Sequence, residues 1–295
     1  MIVFNGCSFT YGDELKGSRH PDGFEYDTHA EHTYAHKLAY MLRGSGYLNL
    51  AQNGSSNDKI FRRTMEFLLT TSKPIDLLVV QWSTFGRFEL VEPEKHASDL
   101  WCQNEGSVNQ VHFGISVGDA KRRPKYKWAI GEQSKRNDIL EKYVEDVFTV
   151  ETSVFQTLTW MHMIQLYCDK MKFPVIQHHV HPSALDIIMN IIKSDRMPDL
   201  KKNIIKMLTR LPVTSRVGLG KFDCLHNITI SKNHGFHDCG HPRESAHTDF
   251  AKMLYERVIP KLEIVGPDGE ILDNLDNYEW FQNKKLRRIR NVQNV

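Results

Sequence analysis

Cysteine is sparse and carries no pairing pattern. The five cysteines, Cys7, Cys102, Cys168, Cys224 and Cys239, are odd in number, far apart and without a C-x-x-C pair. That spacing argues against a disulfide-stapled scaffold and against a zinc ribbon, and it makes a reducing compartment the expectation. Long apolar runs are missing as well: no stretch approaches the roughly 18 consecutive apolar residues of a membrane span. No basic segment followed by an apolar one precedes the first predicted strand at Ile2, so a cytoplasmic location is expected. Charge of one sign is not in excess, because 38 Lys and Arg against 36 Asp and Glu leave a net charge of +2. So small a charge gives no reason to expect a polyanionic partner, and nucleic acid is not an expected ligand. Internal repeats and low-complexity tracts are also absent.

What is present is the rhythm of an α/β protein. Short apolar runs alternate with helical patterns, which predicts a parallel sheet covered on both faces. Strands are expected at Ile2 to Phe4, Tyr47 to Leu50, Leu77 to Gln81 and Val175 to Gln177, with a fifth candidate at Asn227 to Ile230. Helices are expected at about Thr33 to Leu42, Asn57 to Leu69, Leu140 to Met171 (bent or broken) and Ser245 to Val258. Residues 85–138, polar and aromatic with the basic patch Lys121-Arg122-Arg123-Pro124-Lys125, and residues 181–223 break this rhythm. Both read as insertions at strand ends, where α/β folds place binding loops. The resulting organisation is one domain over residues 1–260 and an extension over 261–295, whose basic end reads first as a solvated surface segment.

Two short segments carry the chemistry. Ile2-Val3-Phe4-Asn5-Gly6-Cys7-Ser8-Phe9-Thr10-Tyr11-Gly12 is a buried strand breaking into a glycine-flanked turn with a serine, and Asp238-Cys239-Gly240-His241-Pro242 sets a carboxylate three residues before a histidine. A serine hydroxyl is a poor nucleophile until a base takes its proton and a third group orients that base. Ser8, His241 and Asp238 supply those three groups.

The first segment resembles the opening block of the SGNH hydrolases, the GDSL esterase/lipase family, in the G-C-S-F-T-x-G form found in bacteria and phages. Asn49-Leu50-Ala51-Gln52-Asn53-Gly54-Ser55-Ser56-Asn57 is similar to the block whose glycine amide helps to bind the oxyanion, and Asp238-Cys239-Gly240-His241-Pro242 to the terminal D-x-x-H-P block, followed by His247. The resemblance implies a three-layer α/β/α, flavodoxin-like parallel sheet with insertions. It implies Ser8 as nucleophile, His241 as base and Asp238 as orienting acid. The Ser8 and Gly54 amides would then receive the oxyanion, and Asn57, Arg87 and His247 would support the site. The substrate would be an ester of a small molecule, lipid or carbohydrate, with no cofactor.

The family's third block, G-x-N-D, has no counterpart here. Its place reads Gln81-Trp82-Ser83-Thr84-Phe85-Gly86-Arg87-Phe88-Glu89, so Ser83 would have to replace the asparagine as an oxyanion donor. Losing one such donor costs about 10²–10³ in rate. A non-catalytic structural or carbohydrate-binding module of the same fold, of the kind phages encode, is therefore the rival reading. His178, His179 and His181, or Cys7, His237, Cys239 and His247, match no metal-site spacing, and no metal is expected. Trp82, Trp101, Trp128, Tyr126 and Phe113 read as packing residues before a sugar-stacking surface.

Overall fold

The computed structural model describes residues 1–13, 15, 30–42, 46–93, 110–116, 149–181, 183–194, 198–210, 224–237, 240–259, 264–265 and 271–272. In chain order the elements begin with β1 (Ile2–Asn5), α1 (Ser8–Tyr11), a 3-10 turn at Ala30–His32, α2 (Tyr34–Met41), β2 (Tyr47–Asn49) and α3 (Asn57–Thr70). Then come β3 (Leu77–Trp82), β4 (Arg87–Pro93), β5 (Gln110–Ser116), α4 (Val150–Met171) and β6 (Val175–His179). The remainder comprises α5 (Ser183–Lys193), α6 (Asp199–Arg210), α7 (Leu225–Ser231), α8 (Glu244–Met253), β7 (Ile264–Val265) and β8 (Ile271–Leu272).

Four strands form a parallel sheet in the order β2-β1-β3-β6. Strands β1, β3 and β6 are buried along their whole length, as central strands covered on both faces must be. Alternation then sorts the side chains. Ile2, Phe4, Leu77, Val79 and Ile176 pack with Tyr34, Leu38, Ala246, Phe250 and Leu254 from α2, α8 and the turn that follows α8. Val3, Leu78, Val80, Trp82 and Val175 pack on the other face with Ile60 and Leu68 of α3 and Val154, Leu158, Met161 and Ile164 of α4. Each fully buried aliphatic side chain contributes about 1.5–3 kcal/mol. This is a doubly wound α/β/α arrangement of the flavodoxin-like kind, and its switch point lies between β1 and β3, where the chain passes from one face to the other.

Local signals set the helix starts. Thr33, Ser56 and Thr149 each accept from a backbone N–H three residues on, capping α2, α3 and α4. The described part of α4 is a continuous 22-residue helix, and residues 140–148 of the expected helix lie outside the described residues. Helix α8 widens into a π turn over Leu254–Val258.

The fifth strand expected at Asn227 to Ile230 is instead helix α7. Its β-branched run suggested a strand, yet Leu225, Ile228 and Thr229 fall at i, i+3 and i+4 and are its buried residues. Cys224 Sγ accepts the Asn227 amide at 3.4 Å and caps it. Of the stretches outside the basic rhythm, β4 and β5 pair antiparallel. Helices α5 and α6 add Ile188, Ile191, Ile205 and Leu208 to the core on the α3/α4 face. Beyond residue 260, β7 and β8 form a two-stranded antiparallel pair.

Candidate functional site

Ser8 follows β1 directly at the C-terminal edge of the sheet, beside the switch point, and is 1% exposed. Gly6 is required there by crowding. A Cβ at this position would collide with Thr10 Oγ1 and meet Gln81 Cβ at 2.9 Å. Thr10 cannot readily retreat, since its hydroxyl donates to Gln81 Oε1 at 2.8 Å and lies 2.9 Å from Tyr34 Oη. Tyr34 Oη in turn lies 3.4 Å from His178 Nε2, and Cys7 Sγ donates to the same Gln81 oxygen at 3.5 Å. The strand-end polar residues thus fasten the serine turn to β3 and α2.

The loops after β2 and β3 stand beside this turn. Asn49 Nδ2 donates to the Thr10 carbonyl at 3.0 Å, and its Oδ1 accepts the Ala51 amide at 3.1 Å. Gly54 adopts φ 73°, the left-handed region that favours glycine, with open space around it. Asn57, 1% exposed at the start of α3, holds the Ser83 backbone from both sides. Its Oδ1 accepts the Ser83 amide at 2.7 Å while its Nδ2 reaches the Ser83 carbonyl at 3.4 Å and Thr157 Oγ1 at 3.1 Å. The Ser83 hydroxyl itself is buried without a partner among the described residues, as are Gln81 Nε2, one Arg87 guanidinium nitrogen and both ring nitrogens of His179. Trp82 is fully buried, its indole N–H donating to Gln177 Oε1 at 3.1 Å, so it belongs to the core and to no exposed stacking surface.

His241 reaches the serine turn from the far end of the chain. Its ring packs edge-on against Phe9 with centroids 5.4 Å apart, and its Nε2 lies 3.6 Å from Asp13 Oδ2. Asp13 was not singled out by the sequence; it follows Ser8 by five residues and stands immediately after the block that ends at Gly12. The same carboxylate oxygen accepts from Asn53 Nδ2 at 2.9 Å. Asp238 and Cys239 lie outside the described residues. His247 does not point to the serine turn through a hydrogen bond: its Nδ1 accepts the Tyr34 amide at 3.1 Å, and its ring stacks on Tyr34. It anchors the start of α2.

Burial dominates the electrostatics of the interior histidines. Desolvation lowers His178 to about 3, against the favourable pull of the His179 backbone and helped by the His179 ring. It lowers His179 to about 4, opposed by the Ser83 backbone. His247 falls to about 3, chiefly by desolvation and then by Lys37, with Glu244 opposing. All three are neutral at pH 7. Tyr34 is pushed well above its ordinary value by burial, so its hydroxyl stays protonated.

Among the described residues, no group of three or more His, Cys, Asp or Glu side chains is arranged to hold a metal ion, and no helix is long and apolar enough to cross a membrane. The described cysteines, Cys7, Cys168 and Cys224, are buried free thiols. The arrangement provides a buried serine, a histidine packed against the residue that follows it, and a backbone segment at Ser83 that Asn57 holds in place.

No protein-family model and no curated protein matches the chain. Solved structures do resemble it remotely. A member of the lipolytic protein G-D-S-L family from Veillonella parvula DSM 2008 is 12% identical, with a TM-score of 0.41 over 87% of this chain and 96% of that one. LAE5, an alpha/beta hydrolase enzyme from the metagenome of Lake Arreo, Spain, is 13% identical, with a TM-score of 0.40 over 85% of this chain and 92% of that one.

Proposed function

We propose that the chain is a serine hydrolase that cleaves an ester, transferring an acyl or acetyl group from a small molecule, lipid or carbohydrate to water. The observation that carries this reading is the meeting of two distant segments at the switch point, with the His241 ring against Phe9, the residue next to Ser8. Doubly wound sheets bind their ligands at that edge. In this reading Ser8 Oγ attacks the carbonyl carbon while His241 takes its proton. His241 then returns the proton to the departing alkoxide, leaving an acyl-serine that water hydrolyses by the same proton path. Asp238 is assigned the orienting role from the sequence alone. The oxyanion would be met by the Ser8 and Gly54 amides and by the Ser83 hydroxyl, a buried donor without a partner among the described residues.

The rival is a non-catalytic module of the same fold, favoured by the block-three asparagine being replaced at Ser83 and by Ser8 being only 1% exposed. A fluorophosphonate probe together with p-nitrophenyl acetate separates the two readings. The hydrolase reading expects labelling at Ser8. It also expects turnover that falls to background in Ser8→Ala and in His241→Ala, with the double variant little worse than either. Equal slow turnover by all forms, with Ser8 unlabelled, would leave the binding module.

A further inference from the structure

We infer that Asp13 is a second carboxylate for His241, a positioning residue that stabilises the imidazole beside the serine turn when it becomes cationic. The inference rests on the hydrolase reading for its catalytic meaning, but the contact itself does not. Asp13 Oδ2 lies 3.6 Å from His241 Nε2, with the two side chains 15% and 16% exposed, so the pair is shielded from most of the solvent. At that separation a neutral ring is not hydrogen-bonded, whereas a protonated one is attracted as an ion. With Asp238 orienting Nδ1, Nε2 is the nitrogen that receives the Ser8 proton, and the cationic ring then carries a donor on both nitrogens. Asp13 then faces the Nε2–H.

The carboxylate is built into place rather than left on a free side chain. Asn53 Nδ2, from the loop after β2, donates to the same oxygen at 2.9 Å. The Asp13 amide donates to the Ser8 carbonyl at 3.0 Å, so the acid is tied through the backbone to the nucleophile's own residue. Three loops thus converge on one oxygen. The other titratable or charged groups near the His241 loop, among the described residues, are His237, whose amide donates to the His241 carbonyl at 2.8 Å, Arg243, whose Nε donates to the Phe236 carbonyl at 3.4 Å, the buried His247, and Glu244 at the start of α8. Glu244 is engaged by Lys37 at 2.8 Å and by His32 at 3.0 Å. Asp238, on the same loop as His241, lies outside the described residues.

The test is Asp13→Asn in the full chain, which keeps an oxygen for Asn53 but removes the charge. Two readouts are followed: the NMR titration midpoint of the His241 ring proton, which needs no turnover, and the acid limb of the kcat/KM profile for p-nitrophenyl acetate. Removing an opposite charge at this range should lower the midpoint by about one pH unit. The acid limb should move with it, and Asp13→Glu should restore part of both. Asn53→Ala, which frees the carboxylate without discharging it, should give a smaller shift in the same direction and covers the case in which Asp13→Asn fails to fold. An unmoved midpoint and limb in a folded Asp13→Asn or Asn53→Ala protein that still hydrolyses the ester overturns the inference and leaves the hydrolase standing. A lowered midpoint in a protein that neither turns over ester nor takes the fluorophosphonate supports the Asp13–His241 pair and removes the hydrolase reading.

Discussion

Lowering the pH from 7 to 5 should destabilise this fold through three histidines that are buried neutral. His178, His179 and His247 stand at about 3, 4 and 3 in the folded chain, whereas each returns to its ordinary value when unfolded. The unfolded chain therefore binds protons that the folded chain refuses. Stability is fully present above the unfolded value of about 6.5 and is lost as pH falls from there toward the folded values. Integrated between pH 7 and pH 5, each histidine accounts for roughly 2 kcal/mol, or about 5–6 kcal/mol for the three. That is comparable with the whole stability of many domains, about 5–15 kcal/mol. The assay is urea unfolding followed by circular dichroism at steps across this window. Acidic groups also titrate near its lower end, so the diagnostic form is the His247→Gln variant, whose side-chain oxygen can still accept the Tyr34 amide. Its loss between pH 7 and pH 5 should be about 2 kcal/mol smaller than the parent's. A parent midpoint constant across the window, or a variant with the parent's slope, would refute the assignment of these rings as buried neutral groups.

Two further substitutions probe the strand ends. Gly6→Ala should cost about 2 kcal/mol or more in urea unfolding, since the added methyl meets Thr10 and Gln81 within a bonded cluster that cannot open without losing its hydrogen bonds; an unchanged midpoint would mean that the turn yields. Asn57→Ala should cost about 1–3 kcal/mol by leaving the Ser83 amide buried and unpaired, and ester hydrolysis should fall at least tenfold as the Ser83 segment loosens; a stable, fully active variant would separate Asn57 from the site.

The three central strands were legible from their apolar first halves, residues 2–4, 77–80 and 175–176, because parallel strands covered on both faces bury both sets of side chains. The serine turn was legible from the glycines on either side of Ser8, whereas the crowding that requires Gly6 comes in part from Gln81, 75 positions away on β3. Helix α7 was misread because the β-branched residues of Asn227 to Ile230 favour a strand locally, while the amphipathic stripe of Leu225, Ile228 and Thr229 takes effect only when the α2/α8 face is there to receive it. His247 could be seen as a histidine near the terminal block, but not as the acceptor of the Tyr34 amide, since that contact joins residues 213 positions apart. The placement of Asp13 is of the same kind. Its acidity and its distance from Ser8 along the chain belong to the sequence. Its meeting with Asn53 and His241 required β1 and β2 to pair in parallel and the chain to return past α7, because contacts between distant segments are set by which faces can be buried together and leave no periodic trace in the residues that make them.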